Sequence, residues 1–403
     1  MMPPNDNPVL HYLNPQQCIV YLESYHKAGD GIVDAYVDFR LEKDLRLFER
    51  VMGGPDLKAT VIELLSLKSS KRLRSGCYYN LNLDLLKNYQ LVKSDNSLLI
   101  GASVNLSQMP IPADDRTELL QRHETLDPEE MSMVNIPQGS IFNLPQVNDL
   151  KLFVKDVDQA NWNELRNGDD VLVVYDVGAR LHATNQEVST IFNSRINDLK
   201  RTKPVLVISH WDMDHIHCLK FLSQQDIKDC FSKIVCPDKL KSLTAKSALK
   251  DFRAALGVNN VYCLPLPART NGVTMHHWKT EGFISLYKGE KSSNINFCGL
   301  VMFVTGGQKS ANYTGDCRLT QAKDVYEKEK QNIGTNNHVL IAPHHGGDYD
   351  ASYRHYSRPC DLVIISVGDN NDYGHPKKEM LKYLKSLGTV QMTKDVGDVT
   401  VAL

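Results

Sequence analysis

The sequence has no long apolar run. No uninterrupted stretch approaches the roughly 20 apolar residues that a helix needs to cross a membrane, and residues 1–7 have neither the basic nor the apolar region of a signal peptide. The nine cysteines are dispersed and form no Cys-x-x-Cys pair. This pattern argues against a disulfide framework and favours free thiols in a reducing compartment. We therefore expect a soluble, cytoplasmic protein that does not associate with membranes.

An excess of charge of one sign is also lacking. Lysine and arginine number 46 against 48 aspartates and glutamates, which leaves a formal charge of −2. The chain therefore has no overall electrostatic attraction to nucleic acids or acidic lipids, and a polyanionic substrate would have to be held locally. The densest basic run, residues 68–74, could contact phosphates or could be an ordinary solvated surface. No Walker-type glycine loop is visible.

The length of the chain allows more than one domain. At 403 residues and 42% hydrophobic content, the chain can bury a sizeable core, and domains of about 100–200 residues would give two or three units. Residues 107–145 are rich in Pro, Asp, Gln and Asn, which predicts a connector that ends near Pro145. We therefore expect an N-terminal region at 1–145, of mixed α/β structure and unknown role, and a second domain at 146–403.

Hydrophobic patterns predict elements in both parts. In the N-terminal region, residues 1–30 have some helical character, residues 32–39 suit a strand, and residues 40–51 and 59–67 suit amphipathic helices. From residue 150 onward, short apolar runs that read as buried strands alternate with helical patterns, which supports an α/β or α+β fold. The predicted strands are 171–175, 205–209, 300–304, 339–342 and 362–366, and a helix is predicted at 376–387.

Four potential metal ligands lie within six residues, directly after the apolar run 205–209. They are His210, Asp212, Asp214 and His215. A buried strand delivers the residues beyond its carboxyl end into a loop, and imidazole nitrogens and carboxylate oxygens both bind divalent cations. Alternatively, the histidines could lie on a surface loop and the aspartates could cap a helix that starts near Ile216. The alternation of ligand types and the candidates further downstream favour a metal site.

This pattern resembles the second motif of the metallo-β-lactamase fold, His-x-His-x-Asp-His, in the variant with Asp in the third position. Within that superfamily it is similar to the hydrolase domain of ComEC, the bacterial DNA-uptake channel protein, and its free-standing relatives. The resemblance covers about residues 150–403, and further matching segments follow in the same order. They are residues 155–160, the strand end at 173–178, Thr-Gly-Asp at 314–316, Pro-His-His-Gly-Gly at 343–347, and Tyr-Gly-His-Pro at 373–376.

The resemblance implies a fold and a set of ligands. The fold would be a four-layer αββα sandwich, with two mixed sheets packed face to face and helices outside. His210 and Asp212 would bind one metal ion, and Asp214 and His215 would bind a second, with Asp214 also part of the catalytic machinery. Swapping an imidazole for a carboxylate makes the first position harder, which raises the plausibility of manganese or magnesium relative to zinc. We expect two divalent ions, zinc or manganese.

Three further residues match positions of the family. Asp316 matches a bridging carboxylate, since an anionic oxygen between two cations offsets their mutual repulsion. His375 matches a late histidine and would bind the second ion. Asp176 matches a strand-end aspartate that supports the second motif by hydrogen bonds and need not be a ligand. Cys218 and Cys317 lie close to these ligands in sequence, and we expect both to be packing residues.

Several histidines have more than one interpretation. At least one of His344 and His345 should face the site, as a ligand or as a catalytic proton donor to a leaving oxygen. The superfamily's separate histidine between the second motif and the bridging Asp has no clear counterpart. His276 and His277 lie in the right interval but could equally be ordinary buried or surface residues. His217 could contact substrate, although a position on a helix surface is the commoner case.

These features predict a metal-dependent hydrolase. A hydroxide held between two metal ions would attack phosphorus or a carbonyl carbon, and the resemblance favours a phosphodiester, with DNA or RNA as the substrate. The same scaffold could instead cleave a small phosphodiester or an ester. It could also be a non-catalytic binding subunit of a larger assembly, with residues 1–145 contacting a protein partner, and a role in defence against foreign DNA would suit a nuclease of this kind.

Overall fold

The computed structural model has a mixed α/β architecture with three β-sheets in its described part. The residues that it describes are 17–29, 32–52, 61–68, 73, 75–83, 90–93, 100–103, 139–142, 144–240, 242–292, 294–331, 337–347, 360–369, 371 and 373–403. Within those ranges, no helix is both long enough and apolar enough to span a bilayer. The chain divides into two compact units, one drawn from residues 1–125 and 241–247 and the other from residues 126–240 and 248–403. The domain boundary near residue 145 stays a prediction.

The first unit contains a six-stranded sheet in the order β4-β1-β2-β3-β6-β5. Its elements are β1 (Gln17–Gly29), β2 (Ile32–Phe39), α1 (Glu42–Met52), β3 (Ile62–Lys68), β4 (Cys77–Asn82), β5 (Gln90–Lys93) and β6 (Ile100–Ser103). Phe39 of β2 and Phe48 of α1 pack against each other with ring centroids 5.2 Å apart. The buried core of this unit is therefore closed by α1 against the central strands.

Two elements of this unit differ from the sequence-based expectation. The predicted strand at 32–39 and the helix at 40–51 are confirmed by β2 and α1. The helix predicted at 59–67 is wrong, because its described part lies in β3, where Ile62 and Leu64 are fully buried and pair with β2. The helical character of residues 1–30 is wrong for the described part as well, since Val20 and Leu22 alternate inward along β1. Most of the basic run 68–74 and of the connector 107–145 lies outside the described residues.

The second unit contains two seven-stranded sheets, in the orders β12-β11-β10-β9-β8-β7-β20 and β13-β14-β15-β16-β17-β18-β19. The first sheet consists of β7 (Leu150–Val154), β8 (Trp162–Asn167), β9 (Asp170–Val177), β10 (Val205–Val207), β11 (Lys233–Pro237), β12 (Val261–Leu264) and β20 (Val399–Ala402). The second consists of β13 (His276–Glu281), β14 (Ile284–Lys288), β15 (Leu300–Thr305), β16 (Ser310–Tyr313), β17 (His338–Ile341), β18 (Leu362–Ile365) and β19 (Thr389–Met392). All five strands predicted after residue 150 are confirmed.

One apolar core joins the two sheets of this unit. Val173 and Val207 of the first sheet belong to the same buried cluster as Met302 and Ile341 of the second. Helices cover the second sheet on its other face, in a separate cluster that includes Phe303. The helices that follow β9 are α2 (Asn185–Asn193), α3 (Ile196–Thr202), α4 (Met213–Ile216), α5 (Gln224–Cys230), α6 (Leu243–Leu256), α7 (Leu319–Glu329), α8 (Lys378–Leu387) and α9 (Thr393–Val396). All belong to the second unit except the start of α6, whose residues up to 247 belong to the first. The helix predicted at 376–387 is confirmed by α8.

The strand directions bring several loops together. Strands β9 to β12 run parallel in the first sheet, and strands β16 to β19 run parallel in the second. Parallel strands end at the same edge of a sheet, and the loops after their carboxyl ends are the usual place for ligand sites. The matched motifs lie at the end of β9 and in the loops after β10, β16, β17 and β18.

Candidate metal centre

The motif after β10 spans a loop and a short helix. The buried strand ends at Val207, Ser209 and His210 follow in the loop, and Asp212 stands at the N-cap of α4. Helix α4 therefore begins before Ile216, where the sequence suggested a helix start, and it carries Asp214 and His215 in its single turn. The chain reverses tightly enough that the rings of His210 and His215 lie 4.0 Å apart.

Four side chains from three loops form a group that could hold a metal ion. Asp214, His215, Asp316 and His345 each offer one ligand atom, and these atoms all lie within 4.8 Å of one another. Nε2 of His215 lies 3.1 Å from Oδ1 of Asp316, and Nε2 of His345 lies 3.4 Å from Oδ2 of Asp214. We call these four residues the quartet.

Three residues of the quartet have a buried side-chain atom without a hydrogen bond. Nε2 of His215, Nε2 of His345 and Oδ1 of Asp316 have no hydrogen-bond partner, and the same holds for Nε2 of His210 beside them. Buried polar atoms are nearly always satisfied, because leaving one without a partner costs about 1–3 kcal/mol. Unpartnered atoms of this kind, close to carboxylates, fit a centre that holds divalent cations.

Hydrogen bonds on the other ring nitrogens orient these histidines. Nδ1 of His215 lies 2.8 Å from Oδ2 of Asp176, and Nδ1 of His345 lies 2.8 Å from the carbonyl oxygen of Ser366. A ring that donates through Nδ1 presents an unprotonated Nε2, which is the form that binds metals. These contacts hold Nε2 of both rings toward the centre, which is the orientation that coordination needs.

Asp176 secures the loop that carries the motif. Its Oδ1 accepts a hydrogen bond from the backbone N–H of Ser209 at 2.7 Å, and its Oδ2 accepts one from the Ser209 hydroxyl at 2.8 Å. The residue is fully buried and has φ of 61°, a left-handed conformation that is uncommon for Asp. This conformation turns the carboxylate back from the end of β9 toward β10.

A second group of side chains lies near Oδ2, the other carboxylate oxygen of Asp316. Nε2 of His210 lies 3.3 Å from Oδ2 of Asp212 and 4.0 Å from Oδ2 of Asp316. Nδ1 of His344 forms a short hydrogen bond with the same Oδ2. Asp316 thus directs Oδ1 toward the quartet and Oδ2 toward His210 and Asp212, which is the arrangement of a carboxylate shared between two positions.

The two consecutive histidines after β17 point to different parts of the site. His344 and His345 have φ of 51° and 52°, and this left-handed pair separates their rings. His345 reaches the quartet, whereas His344 lies beside Asp316. The turn is crowded, because a Cβ atom on Gly347 would come within 2.0 Å of Cδ2 of His344 and 2.5 Å of Cε1 of His375. Glycine at 347 is therefore required for this approach.

His375 lies at the edge of the site and outside the quartet. Its ring meets that of His344 edge-on at 5.0 Å between centroids, and its buried Nδ1 has no hydrogen-bond partner. The backbone N–H of His375 donates to Oδ1 of Asn371 at 3.1 Å. Burial and the neighbouring His344 and His345 hold the pKa of His375 well below its usual value, so the ring is neutral. Its role as a ligand of the second ion stays a prediction.

Mutual attraction fixes the charges of the central groups. Burial alone would raise the pKa of Asp316, but the adjacent His344 and His215 outweigh burial and hold that pKa well below its usual value. Burial likewise opposes ionisation of Asp214, yet His215 and His345 lower its pKa. Both carboxylates are therefore anionic, as metal ligands must be.

Other residues near the motif in sequence are occupied elsewhere. Nε2 of His276 lies 3.1 Å from Oε1 of Glu290, and Nε2 of His277 lies 2.8 Å from Oγ1 of Thr280. Neither histidine belongs to the quartet, so the candidate positions in this interval are not filled by them. His217 is buried, with Nδ1 3.0 Å from the Arg180 carbonyl oxygen, which excludes the helix-surface position expected for it.

Cys218 and Cys317 are buried and lie outside the quartet. Burial raises the pKa of both thiols far above the usual value, so neither is a thiolate.

The sequence did not reveal every residue at the site. Asn296, in the turn before β15, places its Nδ2 3.4 Å from Oδ2 of Asp316. Asn161 lies 3.5 Å from Nδ1 of His215 through its own Nδ2. Single amides in polar loops carry no motif, and only the folded arrangement shows that these two reach the centre.

The chain was compared with protein families, curated proteins and solved structures. No protein-family model matches the chain, and no curated protein matches it in sequence. Among solved structures, the chain is similar to a mutant of CmlA beta-hydroxylase, with 15% sequence identity and a TM-score of 0.34. That match covers 64% of this chain and 55% of the CmlA chain, so the chain spans about half the length of that protein.

Proposed function

We propose that this chain is a metal-dependent hydrolase of phosphodiester bonds, a nuclease or phosphodiesterase of the ComEC-like branch of the metallo-β-lactamase fold. The observation that carries the proposal is the convergence of buried, unpartnered ligand atoms on Asp316. Two sheets that share one core, with helices against the second sheet, support the four-layer αββα form. A cytoplasmic location is part of the same proposal.

The residues of the centre suit two divalent ions, zinc or manganese. The quartet of Asp214, His215, Asp316 and His345 would hold one ion, and His210, Asp212 and the second oxygen of Asp316 would hold the other. When bound, such ions supply Lewis-acid activation of water and of the bond to be cleaved. Both groups mix imidazole with carboxylate, a donor set that zinc and manganese both accept.

The remaining residues would handle protons and orientation. His344 lies beside Asp316 without belonging to the quartet, so its Nε2 is the candidate donor of a proton to the leaving oxygen. Asp316 would hold the His344 ring in place through Nδ1. His375, kept neutral at the edge of the site, would line the position of the substrate. His345, with Nε2 in the quartet, is better suited to be a ligand than a proton donor.

A cleavage screen with a matched variant tests the proposal. Purified protein is incubated with Mn²⁺ or Zn²⁺ and with single- and double-stranded DNA and RNA, beside a panel of chromogenic phosphodiesters and esters. We expect phosphodiester cleavage that Asp214→Ala reduces at least about 100-fold, because that change removes a ligand of the quartet. Equal rates for Asp214→Ala and the wild type would refute the mechanism.

The panel also separates the other candidate functions. Turnover of small phosphodiesters or esters without nucleic-acid cleavage would replace the nuclease by a small-molecule hydrolase. No turnover with any substrate, despite bound metal, would favour a binding subunit that meets a protein partner through residues 1–145. The buried ligand atoms argue against the latter, since a purely structural domain has no need of such a costly cluster.

A further inference from the structure

The turn before β15 brings a neutral amide to the metal centre. The segment Ile295–Cys298 forms a short 3-10 helix, whose start is fixed by Asn294, since Oδ1 of Asn294 accepts from the backbone N–H of Asn296 at 3.0 Å. Nε2 of Gln321 donates to the carbonyl oxygen of Phe297 at 3.0 Å and ties this turn to α7. Asn296 is thereby held with its side chain buried, at 3% exposure.

The amide lies on one side of the shared carboxylate. Nδ2 of Asn296 donates to Oδ2 of Asp316 at 3.4 Å and lies 3.3 Å from Nδ1 of His344. Oδ2 is the oxygen that faces His210 and Asp212, whereas Oδ1 faces the quartet. The hydrogen bond from Asn296 therefore acts on the side of the centre that contains His210 and Asp212.

The histidines between the motif after β10 and Asp316 lie away from this place. Between residues 216 and 315 the sequence contains three histidines, His217, His276 and His277. His217 contacts the carbonyl oxygen of Arg180, His276 contacts Glu290, and His277 contacts Thr280. On the side of the centre at His210 and Asp212, Asn296 therefore shares Oδ2 of Asp316 with His344 and not with one of these three histidines.

We propose that Asn296 is a positioning residue for the ion held by His210 and Asp212. Its N–H would hold Oδ2 of Asp316 in the orientation that this ion needs, beside the contact of His344 with the same oxygen. This inference rests on the two-metal function proposed above. Asn296 contacts Oδ2 of Asp316 and not Oδ1, the oxygen that faces the quartet. Its influence on the two ions would therefore be unequal.

Metal titrations of intact protein test the inference without reference to activity. Mn²⁺ binding is followed by electron paramagnetic resonance and Zn²⁺ binding by calorimetry, for wild type, Asn296→Ala and Asn296→Leu. Ala removes the amide, and Leu removes it while keeping a similar volume, so that at least one variant keeps the packing of the turn. We expect both variants to bind one ion as the wild type does and to bind the other about 10–100-fold more weakly, a typical effect for a group that orients a ligand.

Asn260→Ala is the matched control, because its Nδ2 also donates a hydrogen bond, here to the carbonyl oxygen of Leu256 and outside the quartet. It should bind both ions as the wild type does. If Asn296→Ala and Asn296→Leu both bound two ions with wild-type affinities, the inference would be overturned. The proposed function would remain intact. A wild-type chain that binds no metal would instead refute the proposed function, and the role of Asn296 with it.

Discussion

At the scale of single residues, the centre is organised by hydrogen bonds on one ring nitrogen, Nδ1, of His210, His215 and His345. Nδ1 of His210 lies 3.0 Å from the Ser209 hydroxyl, and the Nδ1 atoms of His215 and His345 meet Asp176 and a carbonyl oxygen. In each ring the opposite Nε2 points to the centre without a partner. The protein therefore holds its ligands in place by its own contacts, and a metal ion would complete the arrangement without reorganising it.

The substitution Asp176→Asn tests this arrangement. An amide in place of the carboxylate sets an N–H group against the donors of Ser209 and His215, which would favour the wrong tautomer of His215. We expect metal affinity to fall about 10–100-fold, measured by calorimetric titration of the metal-free protein. Asp170→Asn is the control, since Asp170 is exposed and pairs with Arg201. Equal affinities in the two variants would contradict the role given to Asp176.

Gly347→Ala tests the crowding around the two histidines. The new Cβ would overlap both His344 and His375, and the turn would have to shift away from Asp316. We expect a loss of about 1–3 kcal/mol in the free energy of unfolding, as for other overpacked sites, together with a loss of hydrolytic activity. Urea unfolding and the cleavage assay measure the two effects. Gly307→Ala, at a glycine with no neighbour within 4 Å, should change neither of them.

The residues that the sequence could identify share one property. His210, Asp214 and Asp316 belong to short motifs with fixed spacing after strands, so that local sequence is enough to select them. Asn296 and Ser209 could not be selected, because their roles depend on contacts between loops that are distant in the chain. Which of two adjacent histidines faces the quartet also depended on the backbone, since the left-handed pair at 344–345 has no signal in the sequence.

At the scale of elements, Asp238 joins two parallel strands at their carboxyl ends. Its backbone N–H donates to the carbonyl oxygen of Leu264, and its Oδ1 accepts from the backbone N–H of Leu266 at 3.1 Å. The side chain ties the end of β11 to the segment after β12. Burial raises the pKa of Asp238 to about 6, although the hydrogen bond from the Leu266 N–H opposes this shift, so the folded state favours the protonated carboxyl group.

This raised pKa gives stability a defined dependence on pH. A group with a raised pKa in the folded state stabilises the fold below its unfolded value, here 3.8, and that stabilisation is lost as the pH rises through about 6. Asp238→Asn keeps the acceptor but cannot ionise. At pH 7.5 we expect the free energy of unfolding of the variant to exceed that of the wild type by up to about 3 kcal/mol. This difference in the free energy of unfolding should disappear by pH 4. Urea unfolding at several pH values measures it, and a constant gap would contradict this explanation.

Five strands of the second unit were predicted, whereas β1 and β3 of the first unit were expected to be helical. Runs such as Leu300–Thr305 are apolar throughout, because both faces of a central strand are buried, and such runs are short. Residues 59–67 contain good helix formers, yet their described part pairs with β2 in a sheet. Pairing with β2 outweighed the local preference there, and such pairing depends on residues that are distant in the chain.

At the scale of the whole molecule, the two sheets of the second unit explain why distant motifs meet. Parallel strands in both sheets have their carboxyl ends near the centre. The end of β9 and the loops after β10, β16, β17 and β18 each supply a residue at or beside the quartet. The near-zero net charge adds no general attraction for a polyanion. Recognition of a phosphodiester would therefore depend on the metal ions themselves and on side chains close to them.

A metal-free molecule should be less stable than the metal-bound one, since the buried ligand atoms lack partners until an ion binds. At a free-ion concentration of about 100 times Kd, binding adds about 2.7 kcal/mol. This corresponds to a rise in Tm of about 5–10 °C for a domain of this size. Differential scanning calorimetry with chelator and with added Mn²⁺ or Zn²⁺ measures the shift. His345→Ala should abolish most of it, whereas His277→Ala should retain it, because His277 contacts Thr280 outside the quartet. A wild-type Tm unaffected by either ion would mean that the quartet binds no metal.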